Sequence, residues 1–225
     1  MPGVWHENYW FRRHEAVYVA IAGELGDVVV LEAGCGEGYG AQLLARHVSR
    51  VVALDYDAYT IEHLGRAYPW LVVVRGNLVA LPFADDTYDA VVSLQTVEHL
   101  WDQDAFVVEC RRVLRPGGRL ILSTPNRLTF PPGNPFHPRE LSADELGDLV
   151  ARHGGTADLR GLRHGGDLTA WEHSRGSIVD AQLAASPDQW PAALAERVTA
   201  VGIDDFVLDD QTETSLDLVA VATFD

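Results

Sequence analysis

A glutamine, a glutamate and a histidine stand together where an apolar run gives out. The stretch SLQTVEHLWDQ (Ser93–Gln103) follows YDAVV and carries Gln95, Glu98 and His99. Titratable and metal-ligating groups are costly beside a core unless paired, so their placement asks for a purpose. If a strand ends near Leu94 and a helical turn follows, positions 95, 98 and 99 share one helix face at i, i+3 and i+4; in a strand they would not point together. An imidazole here can take the proton of a hydroxyl. Alternatively, Glu98 and His99, with Gln95 as a third candidate, can hold a hard divalent ion. Mg2+ suits so sparse a set because it keeps several waters, whereas a structural zinc site would need four ligands. The plainer alternative has Glu98 stabilising a helix start and His99 packing beside a bound cofactor. His137, in NPFHPREL, is a further candidate ligand or substrate contact, or a loop histidine bonded to backbone.

A second group of residues points to a nucleotide-like ligand. VLEAGCGEGYG follows an apolar strand pattern and precedes a helical one. A glycine-rich turn there lets a ligand approach backbone N–H groups. The dinucleotide pattern G-x-G-x-x-G would need glycine at position 39, where Tyr39 stands; the chain instead has Glu32-x-Gly34-x-Gly36-x-Gly38. Cys35 reads as a small filler of the loop. Asp55, followed by Tyr56, ends the next strand pattern, where a carboxylate can accept both hydroxyls of a ribose. Asn77 ends the third, as an adenine contact with Leu78 against the ring, or as a turn residue.

These groups need strand tips in a row, and the patterning supplies them. VVVLEAG, RVVALDYD, WLVVVRGN, YDAVVSL and RLILSTPN read as buried strands alternating with helical patterns over GYGAQLLARHV, AYTIEHLGRAY and DQDAFVVECRRVLRPGG. Such alternation predicts a doubly wound α/β sheet, mostly parallel. ENYWFRRHEAVYVAIAG predicts an N-terminal helix, with residues 1–27 as a cap and 28–126 as the ligand-binding core of a single domain. After Asn126 come a proline-rich loop, a helix opened by a Ser142–Glu145 capping box, a weak strand TADLRGL, and a helical insert over 163–203. SLDLVAVATF closes the chain as a strand.

The chain has 225 residues with 17 basic and 33 acidic side chains, a formal charge of −16. That balance repels phosphate backbones and disfavours nucleic acid and anionic membranes as partners. No apolar run reaches the roughly 18 residues of a membrane span. Two cysteines outside any CxxC pair give no disulfide framework, and a cytoplasmic location is expected.

VLEAGCGEGYG, ALDYD, GNLVALPF, YDAVVSLQTVEHL and LRPGGRLILSTPN together resemble the class I S-adenosylmethionine-dependent methyltransferases. The resemblance implies a Rossmann-like, seven-stranded, mostly parallel sheet whose last strand, SLDLVAVATF, runs antiparallel. It implies S-adenosylmethionine as cofactor, with Glu32 to Gly38 along the methionyl part, Asp55 at the ribose, and Asn77 with Leu78 at the adenine. In the N-terminal helix pattern Trp10 and Arg13 fall at i and i+3, so that Arg13 can bind the cofactor carboxylate with Trp10 covering it, or Trp10 is core and Arg13 a solvated surface charge. A narrower resemblance rests on ENYWFRRHEAVY, EHLWDQDAFVVEC, STPNRLTF, NPFHPRELSADEL, GSIVDAQL and SLDLVAVA. These are similar to the sugar 1-O-methyltransferases of methylmannose polysaccharide synthesis. The chain departs from that family at its N-terminus, where the family carries a longer segment, at a shorter loop near Gly133–Asn134, and over 163–175. The implied reaction is methyl transfer to a sugar hydroxyl of a mannoside, with His99 as base, or Mg2+ on the Glu98–His99 pair, or both. The implied partner is a small sugar or oligosaccharide, with Trp171, Arg175 and Trp190 as candidate acceptor contacts; a homo-oligomer is left open. Two alternatives are an O-methyltransferase of a quinone or phenol, and a cofactor-binding subunit without catalysis.

Overall fold

The computed structural model describes residues 2–224. Strand β1 (Val29–Ala33) lies between β2 (Arg50–Asp55) and β4 (Tyr88–Leu94), with β3 (Val72–Arg75) beyond β2 and β5 (Leu114–Pro125) beyond β4. All five run parallel. Then β8 (Asp217–Phe224) inserts antiparallel beside β5, followed by β6 (Gly155–His164) and β7 (Phe206–Asp209). The order is β3-β2-β1-β4-β5-β8-β6-β7, eight strands where seven were expected. The additional strand is the short β7, which pairs with only one neighbour and carries no long β-branched run. The weak pattern TADLRGL belongs to the ten-residue β6, because pairing with β8 along its whole length outweighs its polar composition.

Side chains alternate across the sheet. Val30, Ala53, Val92 and Ile121 enter one core, and Leu31, Leu54, Val91 and Leu122 the other. The first core is closed by α1 (Asn8–Leu25), α2 (Tyr39–Leu44), α3 (Ala58–Ala67), and the C-terminal helices α7 (Ile178–Leu183) and α8 (Ala192–Ala200). The second is closed by α4 (Gln103–Val113) and α5 (Ala143–Ala151). Asp57 and Asp102 cap α3 and α4 through side-chain acceptance of backbone N–H groups, and the Ser142–Glu145 capping box opens α5. The helix expected to run into LRPGG stops at Val113: Leu114 pairs with Tyr88, so Pro116 and its glycines lie within an irregular start of β5. The segment expected as an insert holds α7, α8 and also α6 (Gly166–Arg175), for which the sequence pattern gave no signal.

The parallel strands and β6 end on one edge. Leu94 at the end of β4 pairs with Ser123, Pro125 at the end of β5 with Asp217, and Asp217 with Leu162 of β6. Every candidate group on β1 to β4 arrives at this edge, where ligands of open α/β sheets bind.

Candidate functional site

A cleft of about 380 Å3 opens over the tips of β1 to β4. Gly34, Gly36, Asp55, Tyr56, Asn77 and Leu78 line it on one side. Gln95, Thr96, His99 and Leu100 line it on the other. The cleft lies where β1 is flanked by β2 on one side and β4 on the other, the point at which strand order reverses.

The glycine loop is shaped by close approach. Gly34 has φ +84°, and a Cβ there would sit 2.5 Å from the Thr96 side chain. Its N–H and that of Cys35 both donate to the Leu54 carbonyl, tying the loop to the end of β2. Gly38, at φ +77°, leaves room for Leu64. Asp55 Oδ2 accepts the Gly36 N–H at 2.9 Å and Oδ1 the Asp57 N–H at 3.0 Å. Each carboxylate oxygen has a further lone pair, so Asp55 can still accept two hydroxyls. Asn77 Oδ1 accepts the Val79 N–H at 3.1 Å, the turn role weighed above; its amide N–H groups remain for a ligand while Leu78 is buried at the wall.

Three expected cofactor contacts lie behind the cleft wall. Glu32 is fully buried; its Oε1 accepts the Tyr18 hydroxyl at 2.6 Å and its Oε2 has no partner among the described residues. Burial raises its pKa to about 8, against the lowering pull of Tyr18 and of the Ala41 N–H. It therefore supports the loop from beneath. Cys35 is buried, with its thiol pushed far up by desolvation, and Gly38 faces α3.

Arg13 is corrected outright. Its guanidinium is 2% exposed and clamped to Asp217, with Nε and Nη2 each donating at 2.6 Å, while Nη2 also donates to the Leu216 carbonyl at 2.9 Å. A fork used bidentately on a buried carboxylate is not available for a cofactor carboxylate. Trp10 lies against this guanidinium, 5.4 Å from ring centroid to carbon, and lines a different cavity with Trp190. Trp171 packs on the core and Arg175 is exposed at the end of α6.

The polar group after β4 is assembled differently from the expected helix face. The helical turn is 3-10 and spans only Val97–His99. Gln95 precedes it at φ +52°, and its Nε2 donates to Ser123 Oγ at 3.2 Å. Gln95 lines the cleft. His137 joins Glu98 and His99: one ligand atom each from Glu98, His99 and His137 lies within 4.8 Å of the others. The rings of His99 and His137 meet edge to face at 4.8 Å.

Protonation in this trio follows from its partners. His99 Nδ1 lies 2.9 Å from the Phe136 carbonyl, which can only accept, so Nδ1 carries the proton and Nε2 holds a lone pair. Partial burial, with His137 adding to it, lowers the His99 pKa and keeps the ring neutral at pH 7. Glu98 is 1% exposed, and its Oε2 has no partner among the described residues. Burial raises its pKa to about 8, opposed by its own backbone N–H and by Thr124. His137 Nδ1 meets Glu140 at 2.7 Å and its Nε2 meets the Asn134 amide at 3.0 Å. A carboxylate behind a histidine is the usual support of a ligating ring. An unpartnered buried oxygen of Glu98 beside a free imidazole nitrogen fits a divalent cation once Glu98 gives up its proton to it.

The sequence pattern of the family described as "Methyltransferase domain" matches residues 31–122. A "Probable S-adenosylmethionine-dependent methyltransferase" of Mycolicibacterium smegmatis is 48% identical over 235 residues, covering 99% of this chain and 91% of the relative. The chain belongs to the class I S-adenosylmethionine-dependent methyltransferases. A relative of the same description from Mycobacterium tuberculosis is 47% identical over 237 residues, covering 99% of this chain and 86% of its own. Among solved structures, the Thermotoga maritima "SAM-dependent methyltransferase, possible histamine N-methyltransferase" superposes with a TM-score of 0.71 at 16% identity, over 98% of this chain and 93% of that one. At that identity it bears on the fold alone. S-adenosylmethionine is thus this methyltransferase's methyl donor, and its sulfonium supplies the reactive carbon. No helix among the described residues is long and apolar enough to cross a membrane.

Sequence reasoning missed Thr96 and Leu100 in the cleft, Tyr18 under Glu32, and Asp217 opposite Arg13. Asp217 left a signal: an acidic residue opening the strongly apolar strand LVAVA invites a buried partner.

Proposed function

We propose that this methyltransferase transfers the methyl group to a hydroxyl oxygen of a sugar, with a mannoside as acceptor class. The observation that carries O-methylation is His99: a neutral imidazole on the cleft wall, fixed through Nδ1, with Nε2 free. The acceptor oxygen forms a bond to the methyl carbon as the carbon–sulfur bond breaks. The electron pair stays on sulfur, and the hydroxyl proton passes to Nε2. The cleft orients the two reactants and excludes water. The mannoside rests on the resemblance of segments outside the cofactor core, from NPFHPREL to SLDLVAVA.

A second reading of the same trio is favoured by the unpartnered Glu98 Oε2. Glu98, His99 and His137 would hold Mg2+, with Asn134 giving up His137 Nε2, and the ion would lower the pKa of the acceptor hydroxyl. Nε2 of His99 has one lone pair, so it takes the proton or holds the ion at any moment. The test is turnover of S-adenosylmethionine against mannosides and phenols, with EDTA and then with Mg2+ restored. Methylated mannoside is expected. Turnover of phenols alone removes the sugar, and turnover unchanged in EDTA leaves His99 as base without a metal.

A further inference from the structure

The loop after β5 carries His137 to the trio, and its sequence gives it little to hold on with. FPPGNPFHPREL, over 130–141, has prolines at 131, 132, 135 and 138. Each lacks a backbone N–H, so the segment breaks any strand or helix and offers few donors. What order it has is internal. Asn134 accepts the Phe136 N–H at 3.0 Å through Oδ1, and its amide donates to His137 Nε2 at 3.0 Å. The Asn134 carbonyl accepts the His137 N–H at 3.1 Å, and Glu140 accepts from His137 Nδ1 at 2.7 Å. The loop is therefore a small preformed unit that has to be docked.

Among the described residues, two hydrogen bonds run from positions 131–140 to the rest of the chain. In the first, the Phe136 carbonyl accepts from His99 Nδ1 at a place open to solvent. In the second, the Arg139 carbonyl accepts from Gln103 Nε2 at 2.9 Å. Gln103 opens α4 and is 4% exposed, and the same amide nitrogen donates to the Val97 carbonyl at 2.9 Å. Val97 begins the 3-10 turn that carries Glu98 and His99. One buried nitrogen thus ties the turn with His99 to the loop with Phe136 and His137.

Satisfying buried groups does not account for this bridge. The Val97 carbonyl already accepts the Leu100 N–H at 3.2 Å, and Gln103 Oε1 is left without a partner among the described residues. An unpaired buried amide oxygen costs stability, so what the bridge supplies is geometry. Water competes for the His99–Phe136 bond and is kept from the Gln103 bonds, so the place of the loop depends on Gln103. The His99 ring depends on that place in turn. The Phe136 carbonyl is the only hydrogen-bond partner of Nδ1 among the described residues, and without it the proton is free to sit on Nε2. A ring protonated there cannot take the proton of a hydroxyl through that atom.

We propose that Gln103 is a positioning residue: by fixing the 131–140 loop to the turn after β4, it holds His99 with its proton on Nδ1 and Nε2 free. This deepens the reading of His99 as base and rests on it for its effect on turnover; the tautomer itself is read without any acceptor. The test is NMR of 15N-labelled histidine rings at pH 7 in the wild type, Gln103→Met and Gln103→Leu, with the His99 signals assigned by their loss in His99→Gln. Met and Leu keep the bulk and helix tendency of glutamine without its N–H donors. Unchanged affinity for S-adenosylhomocysteine reports an intact fold in each. The wild type is expected to show Nδ1 protonated and Nε2 bare. Both variants should show mixed tautomers or a protonated Nε2, and kcat should fall about 10–100-fold at unchanged cofactor affinity, the range for groups that orient a functional side chain. A His99 still protonated only on Nδ1 in both variants overturns the proposal, as does a wild type with the proton on Nε2. Tautomers that mix while methyl mannoside is turned over at the wild-type rate uphold the hold of Gln103 on the ring and overturn His99 as base.

Discussion

The two halves of the sheet edge are built by different rules. Over β3, β2, β1 and β4, each strand delivers one group within a few residues of its own tip: Asn77, Asp55, Gly34, Gln95. Over β5, β8 and β6 the groups come from far apart. Arg13 meets an aspartate 204 positions away, and Tyr9 meets a histidine 155 positions away. The half over β3, β2, β1 and β4 is a series of local motifs, and the half over β5, β8 and β6 is a product of tertiary assembly. Glu98, His99 and His137 stand at the boundary, two from the β4 tip and one from the loop after β5.

That division can be broken at its boundary with the largest effect. His99→Ala should lower kcat by roughly 10²–10⁴ while S-adenosylmethionine affinity stays within a few fold, since general-base loss acts on the chemical step. A rate within a few fold of wild type would strip His99 of its role. Next is Asp217→Ala. It leaves a buried Arg13 uncompensated and should cost about 3–5 kcal/mol of stability, seen in urea unfolding. The double replacement Arg13→Met with Asp217→Leu should restore much of that loss, and a single variant as stable as wild type would show that the pair does not anchor α1. Asp55→Ala sharpens the other half: it should weaken cofactor binding by about 1.5–3 kcal/mol, read by calorimetry, with acceptor affinity unchanged.

The remaining prediction, small within any one pH unit, concerns Glu32. Its folded pKa of about 8 lies above its ordinary value of 4.5, so the folded state binds the extra proton. The stability it contributes is full below about pH 4.5 and is lost as pH rises toward 8, at up to about 1.4 kcal/mol per pH unit. Glu32→Gln keeps the partner of Tyr18 and should flatten that part of the stability–pH curve. A wild-type curve that rises over this window relative to the variant would reverse the assignment.

The same contrast explains what could be read in advance. Strands β1 to β5 and the groups at their tips were legible because buried parallel strands are continuous apolar runs and glycine loops have fixed spacing. β7 was not, since four residues paired on one side leave little pattern. The shared helix face of Gln95, Glu98 and His99 did not form, because a 3-10 turn starting two residues after Gln95 breaks the i, i+3, i+4 spacing on which it depended. Arg13 was misread because its spacing from Trp10 is visible in sequence and its buried partner is not. His137 reached the trio through a loop whose path no periodicity describes.

The most direct measurement is a crystal structure of the chain with S-adenosylhomocysteine. The ribose is predicted at Asp55, the adenine between Asn77 and Leu78, and the sulfur facing His99 across the cleft. The nucleoside seated instead over β5, β8 and β6, or the sulfur turned away from His99, would contradict the placing of the donor over β3, β2, β1 and β4.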